Sequence, residues 1–83
     1  MTIVNGLGLH ARAAAKFVKL AGTFASQIRV TRGQRTVDGK SILGLLLLAA
    51  ARGSAIDIAA DGPDEAQALD ALGALVARGF EEA

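Results

Sequence analysis

The sequence predicts an α+β domain in which helices pack on one face of an antiparallel sheet. Three observations predict it: some segments carry apolar residues at helical spacing, others alternate apolar and polar residues, and glycine-rich breaks separate them. The 83 residues suffice for one domain with a thin core, and 52% of them are hydrophobic. We therefore expect residues 1–83 to form one domain with the element order β-α-β-β-α-β-α.

The first elements are a short strand and a helix. Ile3 and Val4 precede a glycine-rich turn and predict the remnant of a strand. A helix follows, begins at or just after His10 and ends near Gly22. The residues predicted to be buried along one face of this helix are Ala14, Phe17, Val18 and Ala21.

A hairpin and a leucine-rich helix come next. Residues 28–31 and 34–37 alternate around a turn at Arg32-Gly33, which predicts a β-hairpin ending at Asp38-Gly39. Ser41 can cap the helix that begins after it. On that helix Leu45 and Leu48 are most simply core residues, and the apolar run is too continuous for every leucine to point inward. Either the rest of the run forms an exposed surface for protein docking or the whole run is deeply buried.

The last elements are a strand and a helix. Residues 56–60 alternate as a strand, and Gly62-Pro63-Asp64-Glu65 has the proline and acids typical of a helix start. The residues predicted to lie on the buried face of this helix are Ala66, Leu69, Leu72, Val76 and Phe80.

Composition excludes several classes of protein. The chain has no cysteine and one histidine, so it has no disulfide or thiolate metal site, and we expect no metal and no cofactor. Its most apolar run is about half the length needed to cross a bilayer, so we expect no membrane insertion and a cytoplasmic location. Residues 1–55 carry eight Lys and Arg against one acid, net +7, and residues 56–83 carry seven acids against one Arg, net −6. The basic half suits a phosphate group, an acidic protein or nucleic acid, or is an ordinary solvated face.

The single histidine stands where the glycine-rich turn gives way to the first helix. The free N–H groups of Ala11, Arg12 and Ala13 would lie beside the His10 imidazole, with the positive end of the helix dipole. The Arg12 guanidinium adds donors suited to phosphate oxygens. Since a neutral imidazole is a nucleophile, this arrangement favours a histidine that accepts a phosphoryl group. A histidine that only caps the helix, or lies exposed on the turn, fits the same residues.

Gly39-Lys40-Ser41 superficially resembles a nucleotide-binding loop. A P-loop needs four residues between its first glycine and the Gly-Lys-Ser, whereas five separate Gly33 from Gly39 and they have the pattern of a strand. We therefore expect no binding of ATP or GTP. A turn followed by a capping serine, which is also a favourable place for a phosphate, is the better interpretation.

Two motifs occur together at a specific spacing. NGLGLHAR at residues 5–12 is followed by VDGKSILGL at residues 37–45. With matching segments at residues 17–18, 24–26 and 62–80, the chain resembles, over nearly its whole length, the HPr phosphocarriers of the bacterial phosphoenolpyruvate-dependent phosphotransferase system.

The resemblance implies an open-faced β-sandwich with four antiparallel strands. It implies that His10 takes a phosphoryl group on Nδ1 from enzyme I and passes it to a IIA-type acceptor protein, with Arg12 stabilising the phosphate. Such a protein is a carrier and not an independent catalyst, and we expect a monomer. Ser41 falls where a serine-directed HPr kinase/phosphorylase acts on some members. The residues implied to bind partners are Ile42, Leu43, Leu46 and Leu47.

One residue departs from the family pattern. Ala13 stands where the family has proline, a replacement associated with nitrogen-type regulatory branches, so sugar uptake and nitrogen regulation both stay open. A regulatory protein-binding module in which His10 phosphorylation is dispensable is an alternative. Binding of nucleic acid would use Arg29, Arg32, Arg35 and Lys40. The acidic second half and the absence of Trp and Tyr disfavour it, so we expect no nucleic-acid partner.

Overall fold

The computed structural model describes residues 1–82, and within them the helices and strands follow the predicted order after the first strand. The helices are α1 (Ala11–Ala21), α2 (Ile42–Leu47) and α3 (Glu65–Ala77), and the strands are β1 (Gln27–Arg32), β2 (Arg35–Asp38) and β3 (Asp57–Asp61). A short 3₁₀ turn, Gly79–Glu81, follows α3. None of the helices in residues 1–82 has the length and apolar character needed to span a membrane.

The sheet is antiparallel with the strand order β2-β1-β3. Val30 in the central strand pairs with Val37 on one side and with Ile58 on the other. Ile28 and Val30 are completely buried, whereas Arg29 between them is exposed. Because successive side chains of a strand point to opposite faces, β1 has one covered face and one open face, as predicted.

The predicted strand at Ile3 and Val4, and with it a four-stranded sheet, is not confirmed. Within residues 1–82 the sheet has three strands, and the amino-terminal segment joins the loop before β3 through one isolated bridge, between Thr2 and Ala55. Ile3 is nonetheless completely buried. The segment therefore packs like an edge strand although its pairing is interrupted.

A bulge interrupts that pairing. Ile3 N–H donates to the carbonyl of Ser54 (2.9 Å), and the carbonyl of Ile3 accepts from Gly53 N–H (2.8 Å), so two residues oppose one. Gly53 has φ +90°, a conformation that glycine adopts without steric cost. This is the pattern of a G1 β-bulge, which ends a regular ladder.

The bounds predicted for α1 are confirmed, and so are most of the residues predicted for its buried face. Ala14, Phe17 and Ala21 are buried and Val18 is half-buried. The N–H of Gly22 closes the helix on the carbonyl of Val18 (2.9 Å).

Helix α2 is short and begins as predicted. The Ser41 hydroxyl accepts a hydrogen bond from Gly44 N–H (3.0 Å), which is an N-cap. Leu45 and Leu48 are buried, as predicted. Gly39 before the cap lies against β1, where a Cβ would come within 2.5 Å of the Ile28 side chain, so close packing explains the glycine.

The predicted face of α3 is partly wrong. Leu72 and Val76 are buried as predicted, but Ala66 is exposed and Leu69 only half-buried. The helix begins at Glu65, and its buried side chains are those of Ala68, Leu72, Leu75 and Val76. Phe80 is completely buried, but it reaches the core from the turn after the helix, because its φ of +56° takes it off the helical path. The buried face predicted from the sequence extended to Phe80, about one turn beyond the end of α3 at Ala77.

Candidate functional site

The segment before α1 is hydrogen-bonded to the chain just after α2. Leu9 N–H donates to the carbonyl of Ala50 (2.9 Å), and the Leu9 side chain is buried. Gly8 has φ +66°, and a Cβ at this position would lie 2.6 Å from the carbonyl oxygen of Ala50. Because only glycine fits this close approach, the backbone around Gly8 sets where His10 enters the helix.

His10 is the N-cap residue of α1. Its backbone is extended (φ −84°, ψ −177°), and its Nδ1 accepts a hydrogen bond from Arg12 N–H at 3.3 Å. The N–H groups of Ala11 and Ala13 belong to the same first turn, whose amides have no acceptor within the helix. Nδ1 therefore lies among the positive ends of peptide dipoles at the start of α1.

The other ring nitrogen of His10 is held by a carboxylate. Its Nε2 lies 2.7 Å from Oε2 of Glu82. Burial raises the pKa of the Glu82 carboxyl, but hydrogen bonds from Asn5 and His10, the charge of Lys16 and, when the ring is protonated, the charge of His10 together lower that pKa below its usual value. An ionised carboxylate only accepts hydrogen bonds, so Nε2 carries the proton. The neutral ring consequently has its lone pair on Nδ1.

Two contacts hold Glu82 in place. Asn5 is buried, and its Nδ2 donates both to Oε1 of Glu82 (2.6 Å) and to the carbonyl of Gly8 (2.8 Å). Lys16 donates from Nζ to the carbonyl of Phe80 (2.9 Å), which ties the turn before Glu82 to α1. The carboxylate that faces His10 is thus oriented by both the amino-terminal loop and the first helix.

A groove of about 610 Å³ opens beside Glu82. Three basic side chains line it, those of Arg12, Lys16 and Arg52, together with the acidic Glu81 and Glu82. Among residues 1–82, the Arg12 guanidinium forms no hydrogen bond or ion pair, so its donors are available to an anion. In the same part of the chain, no group of three or more His, Cys, Asp and Glu side chains is arranged to hold a metal ion.

An apolar surface on α2 contains the four predicted partner-binding residues, and we call it the α2 patch. The exposed fractions are 41% for Ile42, 76% for Leu43, 36% for Leu46 and 62% for Leu47. The whole run is therefore not deeply buried. Arg35 donates to the carbonyl of Leu47 (2.9 Å) and Arg32 to that of Leu48 (3.2 Å). These bonds from the β-hairpin fix the carboxyl end of α2, and with it the patch.

The structure brings together some predicted site residues and separates others. His10, Arg12 and the first-turn amides of Ala11 and Ala13 lie together at the start of α1, and this group is the candidate site. Ser41 caps a different helix, and within residues 1–82 it makes no hydrogen bond to that site. Asn5 and Glu82 were not among the predicted site residues, since neither periodicity nor spacing connects Glu82 with a histidine 72 positions away.

Known proteins resemble this chain along nearly its whole length. A family model described as "PTS HPr component phosphorylation site" matches residues 1–78. The phosphocarrier protein HPr of Cupriavidus necator is 56% identical over 81 residues, 98% of this chain and 91% of that protein. The phosphocarrier protein NPr of Shewanella violacea is 45% identical over 83 residues, 100% of this chain and 91% of that protein. The crystal structure of HPr from Thermoanaerobacter tengcongensis superposes with a TM-score of 0.95 at 41% identity, covering 100% of this chain and 93% of that one.

Proposed function

This chain belongs to the HPr family of phosphotransferase-system phosphocarriers, and on that premise we propose that Nδ1 of His10 carries its phosphoryl group. We propose that phosphorylated enzyme I is the donor and that a IIA-type protein is the acceptor. One observation carries the proposal: Nε2 of His10 is engaged by Glu82, while Nδ1 is aimed at the first-turn amides of α1. Of the two ring nitrogens, Nδ1 is the one with a lone pair that an incoming phosphoryl group can meet.

The transfer is a displacement at phosphorus. The Nδ1 lone pair forms the new N–P bond while the bond from phosphorus to the donor's histidine nitrogen breaks, and its electron pair returns to that nitrogen. The proton on Nε2 of His10 stays in place, so the phosphorylated ring carries a positive charge. The second transfer repeats this displacement with the acceptor's histidine as nucleophile and restores neutral His10.

The start of α1 receives the transferred phosphate. When Nδ1 becomes bonded to phosphorus it can no longer accept from Arg12 N–H, and a phosphate oxygen takes over as the helix cap. The amides of Ala11 and Ala13 and the Arg12 guanidinium add donors around it. This arrangement stabilises a phosphoryl group well enough to carry it and gives it up to a nucleophile of similar strength.

The α2 patch is the proposed docking surface for enzyme I and the acceptor. The Leu9–Ala50 hydrogen bond ties the segment carrying His10 to the chain just beyond α2. A partner that covers the exposed leucines would therefore lie beside the phosphoryl group. We propose that the chain acts as a single HPr-like domain, as a monomer and in the cytoplasm. We also propose that its amino-terminal segment forms a fourth, edge strand, which the isolated bridge between Thr2 and Ala55 supports.

Ser41 is a proposed regulatory phosphorylation site. Its hydroxyl caps α2 and lies directly before the patch, so a serine-directed HPr kinase/phosphorylase would add negative charge at the edge of the docking surface. Similarity to an NPr protein and the presence of Ala13 fit a nitrogen-regulatory branch, and similarity to HPr proteins fits sugar uptake. Transfer assays with IIA proteins of each branch distinguish the two.

The test of this function is incubation with enzyme I and phosphoenolpyruvate, followed by intact mass measurement. We expect one acid-labile phosphate on the wild type and none on His10→Ala. Ser41→Ala is the matched control and should still accept phosphate. If the wild type gains no phosphate while a known carrier does, the alternative holds: the chain is a regulatory module in which phosphorylation of His10 is dispensable. In that case His10→Ala should keep partner binding, and Leu43→Glu should abolish it.

A further inference from the structure

The carboxylate of Glu82 reaches His10 from the opposite end of the described chain. The side chains of His10 and Glu82 are 26% and 14% exposed, so the pair is largely shielded from water. Shielding strengthens a charge-assisted hydrogen bond, because competing water is removed. We therefore expect the hydrogen bond between His10 and Glu82 to be stronger than that of a fully exposed ion pair.

The backbone before Glu82 is arranged to deliver this side chain. Gly79, Phe80 and Glu81 all have positive φ values, of +64°, +56° and +60°. For Phe80 and Glu81 this is an unfavourable conformation that surrounding structure must maintain. The buried ring of Phe80 anchors the turn in the core, and its carbonyl accepts from Lys16. Strain of this kind is found where a side chain has to be held in one position.

The two oxygens of Glu82 have separate partners. Asn5 donates to Oε1, and His10 donates to Oε2. Since Asn5 also donates to the carbonyl of Gly8, the carboxylate is fixed relative to the loop that positions His10. The arrangement His10, Glu82, Asn5 is a histidine oriented by a carboxylate that is itself oriented by an amide, as in nucleophile and metal sites that depend on one tautomer.

We propose that Glu82 is a positioning residue for phosphotransfer: it holds Nε2–H of His10, keeps the lone pair on Nδ1, and stabilises the positive charge of the phosphorylated ring. This rests on the proposed function of His10. As the N–P bond forms and the donor's nitrogen leaves with its electron pair, the proton stays on Nε2 and the new charge develops 2.7 Å from Oε2. When the acceptor's nitrogen attacks phosphorus, the N–P electron pair returns to Nδ1 and the same contact restores the starting tautomer.

Two variants and one matched control test the proposal. Glu82→Ala removes the contact. Glu82→Gln keeps the size of the side chain; with its oxygen still held by Asn5, it presents an NH₂ group to Nε2 and disfavours a proton there. Asp70→Ala is the control, since Asp70 is exposed on α3 and, within residues 1–82, its carboxylate forms no hydrogen bond or ion pair. Backbone amide spectra and thermal unfolding establish that each variant is folded.

The first readout is ¹⁵N NMR of the His10 ring without any phosphoryl donor. We expect a protected Nε2–H signal in the wild type and in Asp70→Ala. In Glu82→Ala this proton should exchange with water at least about tenfold faster, and in Glu82→Gln the proton should move toward Nδ1. The second readout is the initial rate of phosphorylation by enzyme I, which we expect to fall about 10- to 100-fold in both Glu82 variants, the usual cost of losing a partner that orients a histidine.

Failure of this inference is distinguishable from failure of the proposed function. If the wild type accepts phosphate and both Glu82 variants do so at the wild-type rate, Glu82 has no role in positioning, whatever the ring spectrum shows. An unchanged Nε2–H signal in Glu82→Ala overturns the contact itself. If the wild type accepts no phosphate, the function of His10 is wrong, and the ring spectrum then decides about the contact alone.

Discussion

Replacing Leu43 by alanine tests the proposed docking surface. Leu43 is the most exposed residue of the α2 patch, at 76%, so a partner has most of its side chain left to cover. The substitution removes three carbon atoms that contribute little to the folded monomer. We therefore expect it to weaken partner binding and to leave the free energy of unfolding within about 0.5 kcal/mol of the wild type.

The expected loss of affinity follows from the exposed area. Burying one CH₂ group contributes about 0.8 kcal/mol, so three carbons contribute about 2.4 kcal/mol when fully covered. About three quarters of the Leu43 side chain is available to the partner, which gives about 1.8 kcal/mol. At 1.4 kcal/mol for each tenfold change, Kd for enzyme I should rise about 20-fold.

The assay is isothermal titration calorimetry of the unphosphorylated protein with enzyme I. The matched control is Leu20→Ala, which removes the same atoms from a half-buried side chain in the groove between α1 and α3. It should change Kd less than twofold. A Kd for Leu43→Ala within twofold of the wild type, in a folded protein that still binds enzyme I, would refute the assignment of the α2 patch as the docking surface.

Three further substitutions test individual contacts. Ser41→Ala removes the cap on Gly44 N–H and should cost about 1 kcal/mol, seen as a fall in Tm of about 4–8 °C. A hydrogen bond from the Ser26 hydroxyl is the largest of several contacts that lower the pKa of Asp64. The stabilising effect of ionised Asp64 should therefore be present above its unfolded-state pKa and be lost as pH falls through its lower folded-state pKa. Asp64→Asn should weaken the loss of stability at acidic pH in urea unfolding, and an unchanged pH dependence would contradict this. Gly8→Ala should destabilise the protein by about 1–3 kcal/mol and slow phosphorylation, because its Cβ would clash with a backbone carbonyl at a positive φ. Gly6→Ala, with no atom within 4 Å of the added carbon, is the control and should change neither quantity.

The elements that the sequence predicted well depend on local signals. Helix α1 has an N-cap and a regular apolar stripe, the hairpin has alternation around a two-residue turn, and α2 has a serine cap followed by leucines. In each case residues within about ten positions of one another determine the conformation. The position of His10 beside free amides could be predicted for the same reason.

The features that were not predicted depend on contacts between distant segments. Glu82 contacts His10 because three consecutive residues with positive φ bend the chain back after α3. No local sequence pattern indicates this bend. Phe80 has the spacing of a helical core residue but enters the core from a turn. The regular pairing of the first strand is interrupted by a bulge at Gly53, and the conformation of that partner loop is not indicated by the residues of the strand.

The central claim is that Nδ1 of His10 carries the phosphoryl group while Nε2 stays protonated and bound to Glu82. The most direct measurement is NMR of the ¹⁵N-labelled protein after phosphorylation by enzyme I and phosphoenolpyruvate. We expect coupling of phosphorus to Nδ1 and a retained Nε2–H signal. Coupling of phosphorus to Nε2, or phosphate on any residue other than His10, would contradict it.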